Sequence, residues 1–250
     1  MQEAQATITW IGHSTVLIET AGIRLLTDPV LSNRVGPLVR IAPPVRDGAI
    51  GEVDGVLVSH LHHDHAHLAS LRRVGGRPQV LGPHGSAAWL EGAGLQRVRD
   101  LLPGQRVTIC EIPITATHAM HDDRRYPLGP RGTPIGFLVG GTPSIYFAGD
   151  TDLFDQMEEL RGHVDVALLP IWGWGPRLPP GHLDPERAAR ATALIEPAIV
   201  IPIHWGTLAR GWARRPADTE APVREFARWL GELAPGVELR ILAPGEHTTV

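Results

Sequence analysis

The order of elements along this 250-residue chain predicts an α/β fold in which two β-sheets pack together with helices outside. Three observations lead there. Short apolar runs separated by turn residues fill the first thirty positions, a strand-loop-helix-strand pattern occupies the last third, and no low-complexity linker or fixed repeat divides the chain. We therefore expect one domain spanning residues 1–250.

The opening runs Thr7 to Ile11, Thr15 to Glu19 and Ile23 to Leu26, broken at Gly12 and at Ala21-Gly22, read as antiparallel strands joined by tight turns. Pro29 to Gly51 lacks periodicity and is expected to be a loop with one short helical turn, part of a pocket wall. Gly55 to Ser59 is a continuous apolar strand, and Leu68 to Arg73 beyond it has helical composition. Further strands are expected at Gln79 to Leu81, Arg106 to Cys110, Ile112 to Thr117, Gly136 to Val139 and Ser144 to Phe147, with a helix from Pro83 to Glu91. Cys110, the one cysteine, is read as a buried apolar strand residue. The strand Val164 to Leu169 leads through a Trp/Gly/Pro loop to a helix capped by Asp184 with Pro185 at its first position, then to a strand Ala198 to Ile203. A helix Thr219 to Leu233 and a strand Glu238 to Leu242 close the chain.

Composition narrows the function. Apolar residues make up 43% and charged residues 20%, and 23 basic against 27 acidic side chains leave a formal charge of −4. That balance lacks the electrostatic footprint of a nucleic-acid or anionic-membrane binder. No apolar stretch of about 18 residues and no signal-like N-terminus is seen, so no integral membrane segment and a cytoplasmic location are expected. One cysteine excludes an internal disulfide framework.

Thirteen histidines stand out, five of them between His60 and His67. His60-Leu61-His62-His63-Asp64-His65 follows the strand at Val56. Residues two apart at a strand end point the same way, so His60 and His62 can converge on one cation while the next turn swings Asp64 and His65 towards a second. His118, Asp150 and His204 each lie just past an apolar strand. Imidazole and carboxylate donors suit zinc, and also manganese or iron.

In this pattern the chain resembles the metallo-β-lactamase-fold hydrolases. The resemblance implies an αββα four-layer sandwich of two mixed sheets with the metals at one edge. It assigns His60, His62 and His118 to one divalent ion, Asp64, His65 and His204 to another, and Asp150 as the carboxylate between them. The segments Trp10 to Glu19, Leu25 to Val30, Phe147 to Thr151, His182 to Glu186 and Ile203 to Thr207 look like the subgroup that contains N-acyl-phosphatidylethanolamine-hydrolysing phospholipase D and ascorbate-phosphate lactonase. The chain departs from the former in lacking an apolar membrane-docking stretch. The activity implied is hydrolysis of an ester-type bond in a small-molecule substrate by a hydroxide between two cations, a phosphodiester first and a lactone or carboxylic ester as the alternative. Asp64 and Asp150 would carry the chemistry with His182. An iron-dependent oxidoreductase and a non-catalytic metal scaffold are the readings from other classes; His62 speaks against the first and the complete ligand set against the second. A nuclease would need an inserted domain. Oligomerisation is left open.

Around the metals, Asp28 has two readings, a carboxylate that accepts the second ring N–H of a ligating histidine or a simple turn residue. His13 is either pocket-facing or structural, and His63 is read as structural. Trp172 and Trp174, with Arg177, form either a packed loop or an aromatic wall for substrate. Arg124 and Arg125 either bind an anionic group or are solvated. His182, next to a helix start that disfavours an imidazolium, is expected to be neutral at pH 7.

Overall fold

The computed structural model describes residues 5–175, 177–211 and 218–250. Two seven-stranded sheets face each other. The first runs, in spatial order, His247–Thr249, Ala6–Gly12, Thr15–Thr20, Ile23–Thr27, Gly55–Leu57, Gln79–Pro83 and Val98–Leu101. The second runs Glu238–Leu239, Ile199–Ile203, Val166–Pro170, Ile145–Phe147, Ile135–Val139, Ile112–His118 and Arg106–Ile109.

Strand alternation explains the layering, because successive side chains point to opposite faces. In the first sheet Ile8, Trp10, Ile18, Leu25 and Leu57 enter one core together with Phe137, Phe147, Leu168 and Ile201 of the second. Leu17, Leu26, Val56 and Val80 point the other way and bury against a second cluster that includes Leu71 and Leu90. Those two leucines belong to the short helices Leu68–Leu71 and Ala87–Gly92. On the far side the helices Pro185–Ile195 and Ala221–Leu233 cover the second sheet, the latter burying Val223, Phe226 and Leu230 from one stripe. The result is the helix, sheet, sheet, helix sandwich expected from the sequence.

Each sheet carries parallel neighbours at its centre. Ile23–Thr27, Gly55–Leu57 and Gln79–Pro83 run parallel in one, and Ile145–Phe147, Val166–Pro170 and Ile199–Ile203 in the other. Parallel strands end at a common edge, so the residues that follow them collect there. Asp28, His60, Asp150, Trp172 and His204 all follow such strand ends.

The structure departs from the expectations in several places. The stretch Pro29 to Gly51 holds two short strands, Arg34–Val35 and Leu38–Arg40, which pair with each other, the second also pairing with Leu208–Arg210, in a third sheet. Strands at Val98–Leu101 and His247–Thr249 are too short and too polar to show an alternating pattern. Cys110 is exposed, not buried. With Glu111 it forms the two-residue turn between Arg106–Ile109 and Ile112–His118, both at positive φ, 44° and 73°. That is the hairpin geometry whose twist matches the flanking strands, and it turns the thiol outward.

The helix Pro185–Ile195 starts where the sequence says. Asp184 accepts a hydrogen bond from the Arg187 amide at 2.8 Å, and Pro185 occupies the first turn. Replacing Asp184 by Ala should cost about 1 kcal/mol, read as a lower urea midpoint; an unchanged midpoint would show that the cap contributes nothing.

Candidate metal centre

Turns from both sheets meet at their common edge. After Ala6–Gly12 the chain turns through His13 at φ 56°, after Ile23–Thr27 through Asp28 at φ 31°, and after Ile199–Ile203 through His204 at φ 62°. Non-glycine residues rarely adopt this region, and such strain concentrates at functional sites. It is held here by neighbours: the His204 amide donates to the His13 carbonyl at 2.9 Å, and the Trp10 indole donates to the same oxygen at 2.9 Å. Trp10 also stacks on Trp205, with ring centroids 5.1 Å apart. Gly149, at φ 62°, is needed because a Cβ there would lie 2.5 Å from that of Ser59. The close approach to Ser59 at this glycine brings Asp150 against the histidine turn.

Three nitrogens form the first donor set. His62 Nδ1 lies 3.0 Å from His60 Nε2 and 3.0 Å from His121 Nε2. The second set is His13, Asp64, His65 and His204. His65 Nε2 is 3.2 Å from His204 Nε2, and Asp64 Oδ2 is 3.0 Å from His13 Nε2. Asp150 stands between the sets: its Oδ2 is 3.1 Å from His65 Nε2 and 4.0 Å from His60 Nε2, and its Oδ1 is 3.3 Å from His204 Nε2.

His118 does not join the cluster. It remains the last residue of its strand, paired with Ile135, and its exposed ring packs edge-on against Phe154 at 4.9 Å. His121 takes that place. The Met120 amide donates to Thr151 Oγ1 and the Asp152 amide to the Met120 carbonyl, both at 2.9 Å, which folds the chain back over Asp150. The sequence offers two histidines three residues apart here, and the structure brings His121, not the His118 that the resemblance implies, to the cluster.

The donor set fits cations because most rings are fixed in one tautomer by a partner behind them. His121 Nδ1 donates to the Gly181 carbonyl at 2.6 Å and His204 Nδ1 to the Trp172 carbonyl at 2.6 Å. His65 Nδ1 donates to Asp28 Oδ2 at 2.7 Å. His60 Nδ1 lies 3.0 Å from Ser59 Oγ, which itself donates to Asp28 Oδ2 at 2.5 Å. In the neutral tautomer each Nε2 thus presents a lone pair inward. Asp150 Oδ1 is buried without a hydrogen-bond partner, facing the His204 lone pair. Two acceptors turned on each other in a buried site call for a cation between them.

Electrostatics follow the same layout. Burial, with the neighbouring imidazoles, holds His60 well below the usual histidine range. Burial likewise lowers His62, and takes His121 to about 4 and His204 to about 3, against the pull of Asp64 or Asp150. Burial opposes ionisation of Asp64 and Asp150, but the surrounding histidines overcome it and hold both below the usual carboxylate range. His65 is also buried, yet Asp150, Asp64 and Asp28 push it up. For His182 burial acts downward and the contact with Asp150, 3.4 Å away, outweighs it, so the shift is upward. This corrects the expectation of a neutral ring: a carboxylate in contact counts for more than a helix start several ångströms off.

The other expected residues divide. Asp28 is fully buried and also accepts the Ser59 amide at 2.7 Å. Trp174 donates its indole N–H to Asp64 Oδ2 at 2.9 Å and stacks under the Arg210 guanidinium. Trp172 reaches the site through its carbonyl. Both tryptophans line a cavity of about 330 Å³ with Ile41, Leu208, Ala209 and Pro222. Arg177 is exposed. Arg124 is exposed on a turn, bonded to the Pro127 carbonyl at 3.3 Å, and does not face the cluster. Its neighbour Arg125 is buried and points at the histidine turn. Among the described residues no helix is long and apolar enough to cross a membrane.

The histidine shifts set the acid response of the metal-free fold. His121 and His204 take up protons in the folded chain only near about 4 and about 3. Unfolded histidine does so near about 6.5, so between these values the unfolded chain binds more protons and stability falls as pH drops. His65 and His182, shifted upward, take up their protons in the folded chain first, so they offset part of this loss down to about pH 6.5 and are protonated in both states through the rest of the window. Urea unfolding in chelator should give a lower midpoint at pH 5 than at pH 7; equal midpoints would contradict this.

Comparison with known proteins agrees with the geometry. Residues 23–205 match the model of the beta-lactamase superfamily domain. A UPF0173 metal-dependent hydrolase of Methanopyrus kandleri is 36% identical over 248 residues, covering 96% of this chain and 97% of that protein. A Mycobacterium tuberculosis protein is 34% identical over 80% of this chain, which spans 58% of its length. The solved structure of Igni18, a metallo hydrolase of Ignicoccus hospitalis, superposes with a TM-score of 0.74 at 26% identity and 98% coverage of both chains. On the matched family model, the sandwich and these relatives, the chain belongs to the β-lactamase superfamily and has the metallo-β-lactamase fold.

Proposed function

We propose that this protein is a dinuclear metal-dependent hydrolase of an ester-type bond, with a phosphodiester as the first substrate class. The observation that carries the reading is the Asp150 carboxylate, buried between two donor sets with one oxygen lacking a hydrogen-bond partner. In this reading His60, His62 and His121 would hold one divalent ion and Asp64, His65 and His204 the other, with the Asp150 carboxylate within reach of both sets. Zinc suits these donors best, with manganese or iron as alternatives. The names of the M. kandleri relative and of Igni18 favour hydrolysis over oxidative chemistry. Bound there, two cations supply Lewis-acid polarisation of the electrophile and activation of water.

The chain's own residues do the rest. Asp64 is oriented by His13 and Trp174, which both donate to its Oδ2. His182 Nδ1 faces the carbonyls of Pro179 and Pro180 at 3.1 and 3.4 Å, so it donates there, and its Nε2 is turned to Asp150. In its cationic form, which the contact with Asp150 favours, the ring would carry a second proton at Nε2 at the mouth of the site, placed to protonate a leaving oxygen. Trp172 and Trp174 offer an apolar wall to the remainder of the substrate. A second reading, a lactone or carboxylic ester, is favoured by the position of Arg124, which leaves the site without the expected anion clamp.

Zinc-reconstituted protein should hydrolyse an activated phosphodiester, bis(p-nitrophenyl) phosphate, faster than γ- or δ-lactones; the reverse order establishes the second reading, and no turnover of either overturns both. His121→Ala should bind about one equivalent of zinc in place of two and lose activity by orders of magnitude, whereas His118→Ala should retain both. His182→Ala should lower kcat/KM about tenfold, equivalent to about 1.4 kcal/mol of transition-state stabilisation, at unchanged metal content. Equal activity would leave His182 a structural residue.

A further inference from the structure

The two loops that supply His62 and His121 are tied together by one side chain outside the donor sets. Arg125 follows His121 by four residues, and its guanidinium is buried under the histidine turn. Nη1 donates to the Leu61 carbonyl at 2.6 Å and to the Ala66 carbonyl at 3.0 Å. These two carbonyls bracket His62, Asp64 and His65. Nη2 lies 3.0 Å from His63 Nδ1, and the guanidinium stacks on Trp89 with 4.6 Å to the ring centroid. The backbone of the same excursion is closed by the Arg125 amide on the Pro130 carbonyl and the Gly132 amide on the Asp123 carbonyl, at 3.1 and 2.9 Å.

From this arrangement we infer that Arg125 is a positioning residue for the metal centre, setting the distance between His62 Nδ1 and His121 Nε2. The planar fork suits the task. Two carbonyls five residues apart converge on one Nη1, and a second N–H reaches His63, so the ends of the ligand-bearing turn close on a rigid group. An arginine in this place acts without touching substrate, and it gives His63 and Trp89 a role as its supports. The cation also compensates the carbonyl dipoles of a turn that has no sheet partner.

The inference rests on the proposed ligand assignment, and zinc binding distinguishes the two. Arg125→Lys keeps the charge and the stem over Trp89 but loses the fork. Metal-free Arg125→Lys titrated with zinc by calorimetry should show one of two sites weakened at least tenfold, the size expected when a ligand's support is removed. Cobalt loaded into the variant should show an altered visible absorption band for the weakened site. Two sites of wild-type affinity and an unaltered cobalt band in Arg125→Lys would overturn the inference. His121→Ala serves as the control: if it loses one zinc while Arg125→Lys loses none, only the role of Arg125 fails. If His121→Ala keeps both sites, the ligand assignment fails. Should Arg125→Lys unfold, His63→Ala, which removes one partner of the fork on an exposed ring, tests the same linkage by a several-fold loss at the same site, and unchanged zinc affinity there overturns it.

Discussion

The constraint that the two donor sets share is the carboxylate of Asp28. It is completely buried, and it accepts the Ser59 amide on one oxygen and the Ser59 hydroxyl and His65 Nδ1 on the other. Through Ser59 it also reaches His60 Nδ1. One side chain therefore orients a histidine of each donor set. A buried carboxylate is costly unless its lone pairs are used, so the hydrogen bonds that satisfy Asp28 and those that aim the histidines are the same bonds. The left-handed turn at Asp28 is the conformational cost, and the amide of Asp28 on the Leu57 carbonyl holds it.

The same economy recurs on the other sheet with neutral acceptors. The carbonyls of Trp172 and Gly181 face His204 and His121, and a carbonyl leaves the ring nitrogen before it no option but to donate. Ring orientation is thus written into the backbone of the Trp172 to Gly181 loop. The functional contribution of that loop is then partly in its main chain, which its side-chain composition does not reveal. Trp174 adds a side-chain contact, linking Asp64 to the apolar cavity and to the small third sheet.

The edge of the sandwich was legible in the sequence because it is made of strand ends. His60, Asp150 and His204 follow continuous apolar runs, and such runs mark buried central strands without ambiguity. The excursion after the strand Ile112–His118 was not legible. His118 is at the end of its strand, but the hydrogen bonds of Met120 to Thr151 and Asp152 make His121 the residue that returns to the site, and those bonds are long-range. Arg124 and Arg125 illustrate the same limit, since adjacent residues leave a turn in opposite directions and only tertiary structure selects which is buried. Cys110 failed for a local reason: a two-residue hairpin turn at positive φ carries none of the usual Gly or Asn signals here.

The central claim is that two cations share Asp150, one among the nitrogens of His60, His62 and His121 and one among Asp64, His65 and His204. Anomalous diffraction from crystals soaked in zinc, collected above and below the zinc edge, tests it directly. The account predicts two peaks, one in each donor set and both in contact with Asp150. A single peak, or a peak at His118 with none beside His121, would contradict it.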